Sequence, residues 1–349
     1  MKGSEEREFV SVIERGLRAA CITLAIAGLM SAAAHANTPA ATPATGAAPV
    51  ANTPATASNN PVVLQGTAHQ ALFSVAFDGD RGVAVGAMGE LLESSDGGKS
   101  WTATAKGITP LSLLGVGLHG AHRIAVGQQG LILRNEGDAA WSKVDSGSQQ
   151  RLLSVSVNEA GLAASVGSFG AILVSENGGA SWQPVVVDWT RYLEEPVDPH
   201  LYDVAVSDGG VITIAGEYGL ILRSADHGKT WVSVHRGEAS IFDIAMRPDG
   251  TGYAVGQNGL VMTSSDGGNT WRDLPTGSEA VLLGVWSSPD GRVIVAGMRE
   301  TLESGDGGAT WKRRTDGDFA TAWYSALAAP QSGGLVLVGH TGRIVRIDS

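Results

Sequence analysis

The chain has 349 residues, enough for one large or two ordinary domains. Glycine supplies 48 residues and charged side chains only 17%, a balance typical of proteins with many tight turns and few solvated helices. The formal net charge is −11, and no Lys/Arg-rich run appears. Such a surface repels phosphate backbones and anionic lipids, so the composition argues against nucleic acid as a partner.

Residues 1–36 have the pattern of an export signal. Basic residues precede a short apolar core at residues 21–30, and "AHA" at 34–36 predicts cleavage near Ala36 and a periplasmic chain. The apolar core is shorter than the ~20 residues of a membrane-spanning helix, so no membrane insertion is expected after cleavage, although an uncleaved anchor stays open. Cys21 is the only cysteine, so the mature chain would have no disulfide. Residues 37–60 are mainly Ala, Thr, Pro and Asn, which predicts a disordered linker.

The remainder, residues 61–349, repeats a unit of about 40 residues. Each unit opens with an apolar run such as "LFSVAF" (from Leu72) and continues with a second run ending in glycine, such as "AVGAMG" (84–89). A third run, a turn and a Trp complete the unit, and "WYSALA" from Trp323 opens the last one. Short runs rich in Val, Leu and Ile are typical of strands, and seven units of four strands predict an all-β, seven-bladed β-propeller.

The two ends of the repeat support a closed ring. Unit seven stops after three runs, and an orphan apolar segment, residues 62–66, precedes unit one. We therefore predict that residues 62–66 supply the outer strand of the last blade, which removes an open sheet edge.

The turn before each Trp carries a recurrent phrase, for example "SSDGGKSW" at 94–101. An Asp or Asn can accept hydrogen bonds from its own turn, and the Trp is expected to pack beside the next blade. Five such turns cannot all be active sites, so the phrase predicts architecture rather than catalysis. The residues concerned are Asp96, Trp101, Asn177, Trp182, Asp226, Trp231, Asp266, Trp271, Asp306 and Trp311.

The phrase is the Asp box of BNR repeats, which occurs in sialidases, other glycoside hydrolases and sortilin-type receptors. Its combination with "AVGxxG" and "LxxVxF" over residues 62–349 resembles the photosystem II stability/assembly factor family and its bacterial relatives. The resemblance implies a non-enzymatic seven-bladed propeller that assists assembly of a membrane complex. A periplasmic member implies a protein partner in an envelope complex, such as a transporter, and we expect a monomer without cofactor or metal.

The partner-binding face is predicted where the glycine-bounded "GxxG" turns lie, because the side chains between the glycines have no obvious architectural role. An insertion between Trp182 and Leu201 falls in a blade-to-blade link and should lie on the same face. Its aromatic residues are either exposed contacts or anchors of the loop, and Glu300 is expected to pair with its neighbour at the surface. The candidate residues are Gln128, Gln129, Phe169, Trp189, Arg191, Tyr192, Glu217, Tyr218, Gln257, Asn258, Arg299, Glu300 and His340.

The alternative function is an Asp-box glycoside hydrolase of sialidase type, or a glycan-binding propeller. A sialidase needs an arginine cluster that the sequence does not show at matching positions, but a pair of glutamates could serve another glycosidase. A carboxylate pair in a deep central pocket would favour this alternative. "HGAH" at 119–122 has no third ligand nearby in sequence for a metal.

Overall fold

A computed structural model describes residues 62–67, 69–137 and 139–347, all within one compact unit, Ala57–Ser349. The predicted signal (1–36) and linker (37–60) lie outside the described residues. Within the described ranges, no helix has the length and apolar character needed to span a bilayer.

The prediction of a seven-bladed, all-β propeller is confirmed. The described residues form seven antiparallel sheets of four strands each, and the innermost strands neighbour one another around a closed ring. The first strands are β1 (Val62–Leu64), then in blade 1 β2 (Leu72–Asp78), β3 (Arg81–Gly86), β4 (Leu91–Ser94) and β5 (Thr102–Ala103), in blade 2 β6 (Leu113–His119), β7 (His122–Gly127), β8 (Ile132–Glu136) and β9 (Ser142–Val144), and in blade 3 β10 (Leu152–Val157), β11 (Ala163–Gly167), β12 (Ile172–Ser175) and β13 (Gln183–Pro184). The others are, in blade 4, β14 (Leu201–Val206), β15 (Ile212–Gly216), β16 (Ile221–Ser224) and β17 (Val232–His235), in blade 5 β18 (Ile241–Met246), β19 (Gly252–Gly256), β20 (Val261–Ser264) and β21 (Arg272–Asp273), in blade 6 β22 (Leu282–Ser287), β23 (Val293–Gly297), β24 (Thr301–Ser304) and β25 (Lys312–Arg313), and in blade 7 β26 (Tyr324–Ala328), β27 (Leu335–Gly339) and β28 (Ile344–Ile347).

The outermost strand of blade 7 comes from the other end of the described chain. Strand β1 pairs antiparallel with β28, with Val62 opposite Val345 and Leu64 opposite Ile344. The strand is shorter than the predicted 62–66, and Gly66 lies close to the turn of blade 7. A Cβ at Gly66 would lie 2.7 Å from the carbonyl oxygen of Thr341.

Blade 7 has a different register from the one that the repeat suggests. Tyr324 pairs with Gly339 as Leu72 pairs with Gly86, so the innermost strand starts at Tyr324 and not at Trp323. Tyr324 is only 1% exposed and takes the core position that leucine or isoleucine fills in the other blades. Burial of its phenol is possible because the hydroxyl donates a hydrogen bond to Asp318 Oδ1 at 2.7 Å.

The hydrophobic core is divided among the interfaces between blades. Each cluster joins one blade to the blade before it; for example, Trp101 of blade 1 packs with Phe77 and with Val336 of blade 7. The expectation that each Trp packs beside the next blade is therefore wrong, since the clusters place it against the preceding one. Each Trp lies directly before the fourth strand of its blade, where its side chain faces the interface with the preceding blade.

The Asp-box turns, between the third and fourth strands, are closed by their own side chains. Ser264 Oγ donates to Asp266 Oδ1 at 2.9 Å, and the Thr270 N–H donates to the same oxygen at 2.9 Å. The Gly268 N–H donates to Ser264 Oγ, and the Trp271 indole donates to the Gly268 carbonyl. Hydrogen bonds from the Thr270 hydroxyl and N–H and from Ser264 hold the pKa of Asp266 at about 2. Asp96, Asn177, Asp226 and Asp306 accept the corresponding backbone hydrogen bond.

Candidate functional site

The candidate face carries the GxxG turns, which join the second and third strands of each blade, and the insertion lies on the same face. The Gly170 N–H of the blade 3 turn donates to the Pro199 carbonyl at 2.8 Å, and the His200 N–H donates to Glu217 Oε2 of the blade 4 turn at 2.8 Å. The insertion is therefore fastened to two neighbouring turns of the rim.

The second residue between the glycines is left-handed in every turn. None of these residues is glycine, and their φ angles lie between 55° and 70°. A left-handed conformation costs an ordinary L-residue about 1–2 kcal/mol, which is why glycine or asparagine usually occupies such positions. The residues are Met88, Gln129, Phe169, Tyr218, Asn258, Arg299 and Thr341.

Three of these left-handed residues place large apolar groups in solvent. Met88 is 73% exposed, Phe169 61% and Tyr218 40%. Burial, followed by the negative charges of Glu217 and Glu195, raises the pKa of the Tyr218 phenol, so the hydroxyl stays protonated. The rim therefore combines backbone strain with exposed apolar side chains, two features that are frequent at binding sites.

The first residue between the glycines has a structural role in three turns. Gln128 Oε1 accepts a hydrogen bond from the Ser112 N–H at 3.0 Å. Gln257 accepts one from the Ser240 N–H at 3.1 Å, and Glu217 accepts the one from His200 given above. The expectation that these three side chains have no architectural duty is wrong, because each fixes the backbone just before the innermost strand of its own blade.

Within the insertion, the structure favours the anchoring alternative for the aromatic residues. Trp189 is only 6% exposed, and a Cβ at Gly170 would lie 2.4 Å from its indole nitrogen, so the ring packs directly on the blade 3 turn. The Tyr192 hydroxyl donates to the Trp231 carbonyl at 2.9 Å. Arg191, in the 3-10 turn Trp189–Arg191, is exposed to solvent.

Glu300 does not form the expected surface pair with Arg299. Its side chain is buried, with the residue 6% exposed, and it forms an ion pair with Arg313 of the outermost strand of blade 6. Arg299 is exposed, and its guanidinium has no hydrogen bond or ion pair within the described ranges. The predicted candidates that face solvent are Gln129, Phe169, Arg191, Tyr218, Asn258, Arg299 and His340.

A line of aromatic rings crosses the rim from blade 3 to blade 5. Phe169 lies 4.9 Å from His200 between ring centroids, and Tyr202 lies 4.9 Å from Phe242 in an edge-to-face contact. His200 and Tyr202 connect the two pairs at 6.4 Å. Repeat patterns do not reveal this line, because its members come from three different positions of the unit.

The central channel contains a carboxylate pair that the sequence analysis missed. Asp203 Oδ2 accepts from the Ile244 N–H at 2.8 Å, and Asp243 Oδ2 accepts from the Val285 N–H at 2.7 Å, so each carboxylate bridges to the next blade. Burial raises the pKa of both groups, and the Asp203 charge raises that of Asp243 further. The available signal was "LYDVAV" and "IFDIAM", which have Asp where the other units have Ser, Gly or Ala.

The geometry of this pair does not suit a glycosidase. The channel cavity is about 730 Å³, large enough for a ligand. However, the carboxyl groups of Asp203 and Asp243 hydrogen-bond to each other, and Ser154 Oγ donates to Asp203 Oδ1 at 2.6 Å. Retaining glycosidases hold their carboxyl groups about 5–5.5 Å apart, and inverting ones farther, so that a glycosidic bond fits between them. In this protein the carboxylate oxygens of Asp203 and Asp243 instead accept hydrogen bonds from the backbone of the next blade.

Comparison with known proteins gives a family match for part of the chain. A family model described as "Photosynthesis system II assembly factor YCF48" matches residues 54–193. A comparison with curated proteins gave no match.

Among solved structures, "YCF48 from Cyanidioschyzon merolae" is similar at a TM-score of 0.67 and 21% identity, over 84% of this chain and 99% of that chain. "YCF48 bound to D1 peptide" has a TM-score of 0.66 and 19% identity, over 82% of this chain and 96% of that chain. A GH74 xyloglucanase from Xanthomonas campestris reaches 0.65 at 16% identity, over 83% of this chain and 54% of that chain. These structural likenesses show the shared propeller fold. The chain is therefore a seven-bladed β-propeller, and its residues 54–193 are similar to the photosystem II assembly factor family.

Proposed function

We propose that this protein is an exported, non-enzymatic binding scaffold that assists assembly of a membrane protein complex in the cell envelope. The matching family model carries the name of an assembly factor, and one structural relative is described as bound to a D1 peptide. These names support a protein segment as the ligand class. The export pattern of residues 1–36 supports a periplasmic location.

The observation that carries the proposal is the set of left-handed side chains on the rim. Glycine in these positions would remove the backbone strain, yet the chain has Phe169 and Tyr218 there, both exposed. Strained residues persist where their side chains have a use, and exposed aromatic residues are preferred anchors at protein interfaces. The partner therefore binds across the GxxG face, centred on blades 3 and 4.

The experiment is crosslinking in cells, followed by affinity isolation from the membrane fraction and mass spectrometry. The variant carries F169G and Y218G, which remove both anchors and relieve their backbone strain. Its thermal midpoint, compared with that of the native chain, separates lost binding from unfolding. The matched control is V232A, which trims an exposed apolar residue of strand β17 outside the rim turns.

A membrane complex recovered with the native chain and V232A, but lost with F169G/Y218G, is the expected result. Equal recovery with all three chains would overturn the chosen face. Recovery of no membrane protein by the native chain would overturn the scaffold function itself, and sequencing of the mature N-terminus tests cleavage near Ala36.

A further inference from the structure

A second feature of the rim lies between blades 6 and 7, away from the aromatic line. A cavity of about 370 Å³ opens there, between the GxxG turns that contain Arg299 and His340. Its lining also includes Asp318, Trp323 and Arg343. The volume is at the lower end for small-molecule sites, so it suits one or two residues of a chain rather than a large ligand.

The lining carries an excess of positive charge. Arg343 forms an ion pair with Asp318, and Asp318 also accepts a hydrogen bond from the Tyr324 hydroxyl, so both carboxylate oxygens already have partners. The Nε of Arg343 is buried without a partner, and Arg299 has no partner for its guanidinium, both within the described ranges. Two arginines against one occupied carboxylate leave a local surplus of one positive charge, in a protein of net charge −11.

The position of Arg299 is fixed by the backbone around it. Its φ is 57°, and its N–H donates to the Ala322 carbonyl at 3.0 Å, which holds the turn against the segment leading to Trp323. Trp323 and His340 lie with ring centroids 5.5 Å apart and form an aromatic wall beside the two arginines. The site therefore has an arginine with a fixed backbone, an aromatic wall and an unpaired guanidinium before any ligand binds.

We propose that this cavity binds a carboxylate of a peptide segment, with the adjoining apolar side chain packed on Trp323. A guanidinium recognises a carboxylate through paired N–H···O hydrogen bonds, and a partner bearing a single negative charge balances the surplus charge of the lining. The inference rests on the proposed function, because it assigns part of the same rim to one end or one acidic residue of the partner. The cavity depends on Arg299 and on the segment before Trp323, neither of which follows the repeat pattern of the other blades.

The test uses the folded mature chain and the indole N–H signals of its nine tryptophans in NMR spectra. The Trp323 signal is assigned with W323F. Two probes carry a carboxylate: N-acetyl-leucine has it at the C-terminus, and N-acetyl-aspartyl-leucinamide has it on a side chain. N-acetyl-leucinamide has none and serves as the control ligand.

At least one carboxylate probe is expected to shift the Trp323 signal to saturation, and the control ligand is not. Tighter binding of N-acetyl-leucine would indicate that the site recognises a chain terminus, and tighter binding of N-acetyl-aspartyl-leucinamide would indicate an acidic side chain. R299Q should weaken binding at least tenfold, whereas R191Q, which removes an exposed arginine elsewhere on the rim, should change it less than twofold. The other eight indole signals report whether each variant is folded.

The proposal is overturned if neither carboxylate probe shifts Trp323, if the amide binds equally well, or if R299Q and R191Q weaken binding equally. These outcomes are separable from failure of the proposed function. A partner captured through Phe169 and Tyr218, with no carboxylate binding at Arg299, would leave the scaffold function standing and remove only this cavity.

Discussion

Gln128 and Gln129 are adjacent in the blade 2 turn, yet glycine should have opposite effects at the two positions. Gln129 has a φ of 56° and an exposed side chain. Glycine there relieves about 1–2 kcal/mol of left-handed strain but adds about 0.4–1 kcal/mol of unfolded-state entropy, leaving a gain of about 0.8 kcal/mol. Gln128 caps the Ser112 N–H, so Q128G loses a hydrogen bond as well as rigidity and costs about 1–2 kcal/mol.

The assay is equilibrium urea unfolding of each variant, followed by circular dichroism, with thermal midpoints as a second reading. Q129G should raise the thermal midpoint by about 2 °C, and Q128G should lower it by more. The two variants are chemically identical changes one residue apart, which makes each the control for the other. If Q129G destabilised the protein as much as Q128G, the strain argument for the rim would be refuted.

Two further predictions concern the channel and the insertion. Burial raises the pKa of Asp243 in the folded state above its usual value of 3.8. Between these two pKa values the folded state binds more protons than the unfolded state. The free energy of unfolding therefore falls by about 1.4 kcal/mol per pH unit as the pH rises through this range. The amide of D243N can donate to Asp203 without ionising, so D243N should be more stable than the native chain at pH 7 and should lose the decline due to Asp243. If the urea midpoints of D243N and the native chain changed in parallel between pH 4.5 and 8, this prediction would be contradicted. W189A removes a buried ring from the blade 3–4 core and should cost about 3 kcal/mol, with faster tryptic cleavage after Arg191. Unchanged cleavage and an unchanged urea midpoint would show that Trp189 is not an anchor.

The repeat predicted the fold because its markers are local. Glycine, Asp and Trp at fixed spacing define turns and strand ends, and each unit needs only its neighbours for a core. Blade 7 shows the limit of this reasoning: Trp323 and Tyr324 are both large aromatic residues, so the pattern did not tell which one starts the strand. The hydrogen bond from the Tyr324 hydroxyl to Asp318, which the repeat pattern does not reveal, makes burial of the tyrosine possible.

The site was harder to predict, because its properties arise between units. Asp203 and Asp243 are 40 residues apart and meet only because neighbouring blades place their innermost strands side by side. Trp189 is of a residue type that is frequent at interfaces, and its burial depends on the absence of a side chain at Gly170, where a Cβ would lie 2.4 Å from the indole nitrogen. The left-handed conformation of Phe169 was hidden because strain at a non-glycine residue has no signature in a single sequence.

The central claim is that the partner binds the GxxG face and not the face of the Asp-box turns. The most direct measurement places photo-reactive benzoylphenylalanine at Phe169 in one chain and at Lys229, an exposed Asp-box turn residue, in another. After irradiation in cells, the account predicts a crosslinked membrane protein from Phe169 and none from Lys229. A crosslink from Lys229 with none from Phe169 would contradict it.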